Sequence, residues 1–208
     1  PAGVYNYTAT VNSLPPAPSF ATMTNTPTTF FFTLTFNVRN NNNYAVTLTD
    51  IASMCNVTGA TNVAAYYKAS AVNGLPGAIT PANGWNQFGS ATITSVGFPN
   101  VQPFMSGLNL VIPANSTYGI LVSAVLPNGT TGNLVFSNAG AQLIASGGGC
   151  DILTGANIGY AGPAVPGAPT FTPYHFIGSI GVVPSVAPCT SPARTVVVTV
   201  NQPISITS

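Results

Sequence analysis

The chain has 208 residues, 46% of them hydrophobic and 2% charged; the charges are Arg39, Asp50, Lys68, Asp151 and Arg194, with one histidine, His175. That balance excludes nucleic-acid binding, which needs clustered Lys and Arg to neutralise phosphates, and an acidic calcium cage, which needs several carboxylates. It favours association, because a formal net charge of +1 supplies little long-range repulsion.

Strand signals recur along the chain. Residues 4–12 read as a strand, followed by a proline-rich spacer at 14–18. Residues 32–39 give the clearest signal: Phe32, Leu34, Phe36 and Val38 alternate with Thr33, Thr35, Asn37 and Arg39. A period of two predicts one core face and one wet face. Four asparagines at 40–43 read as a turn, because Asn tolerates left-handed backbone. Tyr44, Val46 and Leu48 alternate next, so 32–39 and 44–50 are expected to pair as an antiparallel hairpin. Further strands are predicted at 62–69, 87–96, 108–112, 118–126, 133–137, 142–145 and 175–183. Residues 73–83 and 147–173 read as long loops, which in compact domains are functional or mobile.

No segment shows a helical period, and none is long and apolar enough to cross a membrane as a helix. The expected fold is all-β: an antiparallel β-sandwich, jelly-roll-like, with an extended C-terminal strand. A body is expected over 1–183, then a proline-rich linker and connector strand over 184–208. The start at Pro1 reads as a processed or excised segment.

Few residues offer chemistry. Asp50 and Asp151 are the available carboxylates, and each is expected to cap a turn or pair with a cation. His175, beside Tyr174 and Phe176, reads as a hydrogen-bonded structural group. Cys55, Cys150 and Cys189 lack the close spacing of a zinc site. In an exported chain, Cys55 with Cys150 is the preferred disulfide and Cys150 with Cys189 the alternative. No catalytic, cofactor-binding or metal-ligating residue is therefore assigned, and the chain is read as not an enzyme. Asn6, Asn56, Asn115 and Asn128 open glycosylation sequons. Trp85 between Asn83 and Asn86 suits a sugar platform, with Tyr66, Tyr67, Tyr160 and Tyr174 as further rings; alternatively Trp85 plugs the end of the sandwich.

Three segments occur in an ordered series: AYYKA at 65–69, GWNQFGSATI at 84–93 and LNLVIPANSTYG at 108–119. The chain closes on CTSPARTVVVTVN at 189–201. Together they resemble a β-sandwich module of large secreted surface proteins of Bacteroidetes-type bacteria, although Asn115 stands where that pattern has glycine. The resemblance implies export, cell-surface display and gliding or adhesion roles, and no catalytic residues. The composition also resembles that of uncharged pilus subunits that exchange strands.

The end of the chain carries the functional expectation. Arg194 opens an uncharged β-branched run, with Val196, Val198 and Val200 alternating and Ile204 and Ile206 beyond Pro203. Such a strand, undefended by lysines, invites another chain. It is expected to join identical subunits or neighbouring modules head to tail by strand addition. The rival is that it completes its own sandwich. A carbohydrate-binding module, with surface glycans as partners, is the alternative function.

Overall fold

A computed structural model describes residues 4–9, 17–138, 140–162, 167, 169–185 and 194–199. Among them the chain is built from strands, with one short 3₁₀ turn at Pro81–Asn83 and no α-helix. The first strands are β1 (Val4–Ala9), β2 (Ser19–Met23), β3 (Thr29–Phe31), β4 (Thr33–Asn40), β5 (Val46–Met54) and β6 (Thr58–Lys68). Next come β7 (Trp85–Val96), β8 (Val101–Met105), β9 (Leu110–Ile112), β10 (Thr117–Val125), β11 (Leu134–Asn138) and β12 (Leu143–Gly147). The last are β13 (Cys150–Thr154), β14 (Ala161–Gly162), β15 (Tyr174–His175), β16 (Gly178–Pro184) and β17 (Arg194–Thr199).

Residues 17–185 form one compact unit, an antiparallel β-sandwich. One sheet runs β12-β13-β4-β10-β6-β7, with β14 also on β4. The other runs β2-β16-β5-β8, with β9 also on β5. A small third sheet, β15-β11-β3, is bridged to the second where Cys55 meets Leu134. The core lies between them. Phe36, Val38, Ile120 and Val122 face Leu48, Ile51, Ile180 and Val182, and Phe176 stacks on Phe36 with centroids 4.3 Å apart. These alternate β-branched and aromatic residues bury one side of each strand, which is what holds a sandwich together.

Two local expectations change. β4 and β5 do not form a hairpin: β4 lies between β10 and β13, and β5 between β16 and the β8 and β9 pair. The asparagine turn carries the chain from one sheet to the other, so both apolar faces meet across the core. Alternation fixes which face is buried, not which strand is the neighbour. The second change is on β4 itself, where the expected wet face is covered. Thr35 Oγ1 donates to Ile158 O at 2.9 Å, and Asn37 exchanges two bonds with the Val72 backbone at 3.0 and 2.9 Å. The two long loops pack over the outside of this sheet and use those polar groups.

Asn40 explains why the crossing turn is rigid. It is fully buried, and its Nδ2 donates to the carbonyls of Tyr44, Ile112 and Pro113 at 2.9, 3.1 and 3.0 Å. Its Oδ1 accepts from Asn42 N at 2.9 Å. Residues 148–149 close a second tight feature. The pair Gly147↔Cys150 leaves Gly148 and Gly149 as a two-residue hairpin loop with φ +59° and +72°. Both angles suit the type I′ turn that matches strand twist and favours glycine.

The second unit holds β1 and β17, paired antiparallel from Val4↔Thr199 to Ala9↔Arg194. The sequence alone groups β1 with the body; the structure pairs it with β17. Both connections from this ribbon enter the body on neighbouring strands, since β2 and β16 are paired with Ser19 opposite Val182.

Candidate functional site

Asp151, His175, Cys55 and Cys150 are each held within the fold. Arg39 and Asp151 face each other across the β4–β13 ladder, and Arg39 Nη2 meets Asp151 Oδ2 at 2.6 Å. Asn41 Nδ2 and Ser146 Oγ also donate to that carboxylate, at 2.8 and 2.6 Å. Burial alone would raise the Asp151 carboxyl. The bonds from Ser146, Asn41 and Arg39, with the charge of Arg39, outweigh it and hold the group below its ordinary range. Asp50 stands in the other sheet, half-buried opposite Gly181. Facing sheets lie about 10 Å apart, so the core separates these aspartates beyond the reach of a two-carboxylate site.

His175 is buried and saturated. Nε2 lies 2.9 Å from Ala141 O, and Nδ1 lies 3.0 Å from Asn25 Nδ2. The Ala141 carbonyl accepts from Nε2–H in the tautomer that leaves Nδ1 to accept from the Asn25 amide. The histidine thereby ties three segments together.

Cys55 and Cys150 are free, buried thiols, which corrects the preferred disulfide. Cys150 pairs with Asn40 at one end of β4, whereas Cys55 bridges to Leu134, opposite Phe31, at the other. Eight strand residues span about 26 Å, and a disulfide needs Cα atoms within about 7 Å. Burial, then the nearby charge of Asp151, pushes the Cys150 thiol up to about 11. Burial raises Cys55 as well, against hydrogen bonds from Ser95 and Thr61. Both are therefore protonated and poorly nucleophilic at neutral pH. Cys189 lies outside the described residues. No group of three potential metal ligands occurs among the described residues.

The sugar platform is also corrected. Trp85 is 1% exposed and packs with Val72, Ile79 and Leu121. Its Nε1 donates to Pro76 O at 3.3 Å. It pins the 70–84 loop onto the outer face of the larger sheet, so it presents no ring to solvent. Asn83 and Asn86 are exposed, but each donates its amide to a nearby carbonyl, of Ala78 and of Gly84. Tyr160 is buried, and Tyr66, Tyr67 and Tyr174 are half-buried. Of the sequon asparagines, Asn115 and Asn128 are exposed and Asn56 is half-buried. Asn6 lies in β1, opposite Val197.

What remains is a set of strand edges. β17 has one partner, β1, among the described residues. Of the expected assembly residues, Arg194, Val196 and Val198 stand in that register, opposite Ala9, Tyr7 and Tyr5. Val200, Ile204 and Ile206 lie outside the described residues. On the body, β12 is an outer strand of the larger sheet but lies against β2 of the other. A Cβ on Gly147 would collide with the Phe20 carbonyl. β8 contains Pro103, and β9, β3 and β15 have three, three and two residues. β7 differs from all of these. It has twelve residues, pairs among the described residues with β6 alone, and contains no charge and no proline.

The ends of β7 are tied down, with Trp85 N donating to Thr80 O and Val96 N to Gln102 Oε1. Between Asn86 and Ser95 its described backbone bonds run to β6 only. Beside this stretch lies an open groove of about 380 Å³, lined by Gly89, Ala91, Ile93, Phe104, Met105 and Leu108. The sequence marks β7 as a strand, but its position at the edge comes from topology. Its lack of lysines was the one available signal.

Comparison with models of known protein families gives no match to this chain, and comparison with curated proteins gives none either.

Proposed function

We propose that this chain is a structural subunit or repeat module of an extracellular surface filament or adhesin, joined head to tail by strand addition through its C-terminal strand. The observation that carries this reading is the place of β17. It lies outside the compact unit of residues 17–185, in a two-stranded ribbon whose described strands have no other partner. Isolated two-stranded ribbons are marginal in water, and a third strand stabilises them. The surface around the body supports the same reading. One ion pair, Arg39–Asp151, uses two of the five charges, leaving little repulsion between copies.

The likeness to secreted β-sandwich modules is part of this proposal. It is helped by Asn115, whose φ of 53° suits both asparagine and the glycine of that pattern. The glycan-binding alternative loses its main support with Trp85 buried. Negative-stain microscopy of the purified chain tests the proposal. Fibres are expected for the full chain and single particles for a chain lacking residues 194–208. Fibres from the shortened chain overturn it.

A further inference from the structure

We infer that the outer edge of β7, with the groove beside β8, accepts the Arg194–Thr199 strand of a second copy. This rests on the strand-addition reading above and supplies the receiving surface that reading lacks.

The first argument is elimination among edges. A strand adds only where a row of N–H and C=O groups is unpaired and reachable. β12 has five residues, and at its Gly147 end it runs into the Phe20 backbone. β8, β9, β3 and β15 are short, and Pro103 lacks a donor. β7 offers ten consecutive residues, 86–95, with described backbone bonds on one side only. Ten residues span about 33 Å and the six of β17 about 20 Å, so the donor fits with room for either of several registers.

The second argument is chemistry. Along β7, Gly89, Ala91 and Ile93 border the groove, opposite Phe104, Met105 and Leu108. Gly89 matters here, because a Cβ at that position would stand 2.5 Å from Leu108 Cδ2 and 2.9 Å from Met105 Sδ. Without it, two apolar side chains rest against the strand and form the groove floor. The donor sequence RTVVVT has apolar residues in its middle and one charge at its start. The groove lining carries no charge and is mostly apolar, with Ser90 and Ser106 beside it, which matches the valines in the middle of that strand.

The third argument is direction. The connections to β1 and β17 leave the body at β2 and β16, and β2 lies against β12. β7 is at the opposite edge of that sheet, separated from β12 by β13, β4, β10 and β6. The strands that continue toward β1 and β17 and the acceptor edge therefore stand at opposite ends of the strand order of the body. Repeating such a contact does not close on itself and builds a filament.

Hydrogen exchange on the full chain, measured at low and high concentration, tests this. Amides of residues 86–95 are expected to slow about tenfold or more as the chain associates. The chain lacking 194–208 should show no such slowing. Ala91→Lys, which places a charge at the groove, should weaken association of the full chain about tenfold or more. Ile144→Lys, exposed on β12 at the other edge of the larger sheet, should leave it unchanged. Absence of association in the full chain, or association that survives the truncation with β7 exchanging freely, overturns the proposed function and this inference together. Association that needs residues 194–208 but leaves 86–95 unprotected, or ignores Ala91→Lys, overturns only the acceptor assignment. Protection of 86–95 that persists in the shortened chain points to β7 pairing with β7 in a closed dimer, and also overturns it.

Discussion

Where β12 lies against β2 the sandwich is stitched shut, and where β7 faces β8 it is left open. The closed side uses close backbone approach and side-chain bonds. Gly147 sits against Phe20, Asn42 Nδ2 donates to Gly148 O at 3.1 Å, and Asn41 N donates to Gly149 O at 2.9 Å. The open side has a groove between two edge strands, closed by a side-chain bond at one end, where Val96 N donates to Gln102 Oε1 at 2.6 Å. Both sides come from the same uncharged composition. The difference shows that composition does not decide whether an edge is protected. Protection here depends on a glycine thin enough to let β12 and β2 approach.

Substitutions on the two sides should separate sharply. The largest effect is expected from Gly147→Val, whose side chain has no space beside the Phe20 carbonyl. Forcing the edges apart should cost about 4 kcal/mol, read as a lower midpoint in urea unfolding. Asn40→Ala comes next, at about 3 kcal/mol, because it leaves the carbonyls of Tyr44, Ile112 and Pro113 without their donor. Asp151→Asn should cost about 2 kcal/mol, reduced from the cost of a fully buried pair because the Arg39 side chain is 42% exposed.

The Asp151 pair also sets a pH dependence. Its folded carboxyl is held below the unfolded value, so its contribution is complete above that value and is lost as pH falls through the folded one. Thermal melts of the native chain should fall below about pH 4, and the Asp151→Asn chain should fall less. The smallest effect is expected from Ala91→Lys on the open side, within about 0.5 kcal/mol for the isolated chain. A large loss there would mean that the groove is part of the core.

Much of the body was legible as strands. The alternation at 32–39 located β4 to within one residue at each end, and 87–96 located most of β7. Partner choice was not legible, because Val46 and Leu48 alternate identically whether β5 sits beside β4 or across the core from it. β13 was missed because all five of its residues are buried. A run such as CDILT, inside glycine-rich sequence, shows no alternation to detect. Its signal was the Gly148-Gly149 turn between two apolar runs. Of the two readings of Trp85 the buried one holds, although the ring lies under a loop on the outer face of the sheet and not at the end of the sandwich. Asparagines on both sides suggest exposure, but the strand turns the indole under a loop whose residues lie up to fifteen positions earlier.

The paired exit of the two arms has a mechanical consequence. A pull on the β1–β17 ribbon enters the body through β2 and β16 together, at the end where Ser19 stands opposite Val182. A pull directed along β2 and β16 draws both strands lengthwise. Ladder bonds lie across that direction, so the bonds joining β16 to β5, from Gly178↔Ser53 to Pro184↔Val46, share the load at once. A body loaded this way resists as a block instead of unzipping one bond at a time.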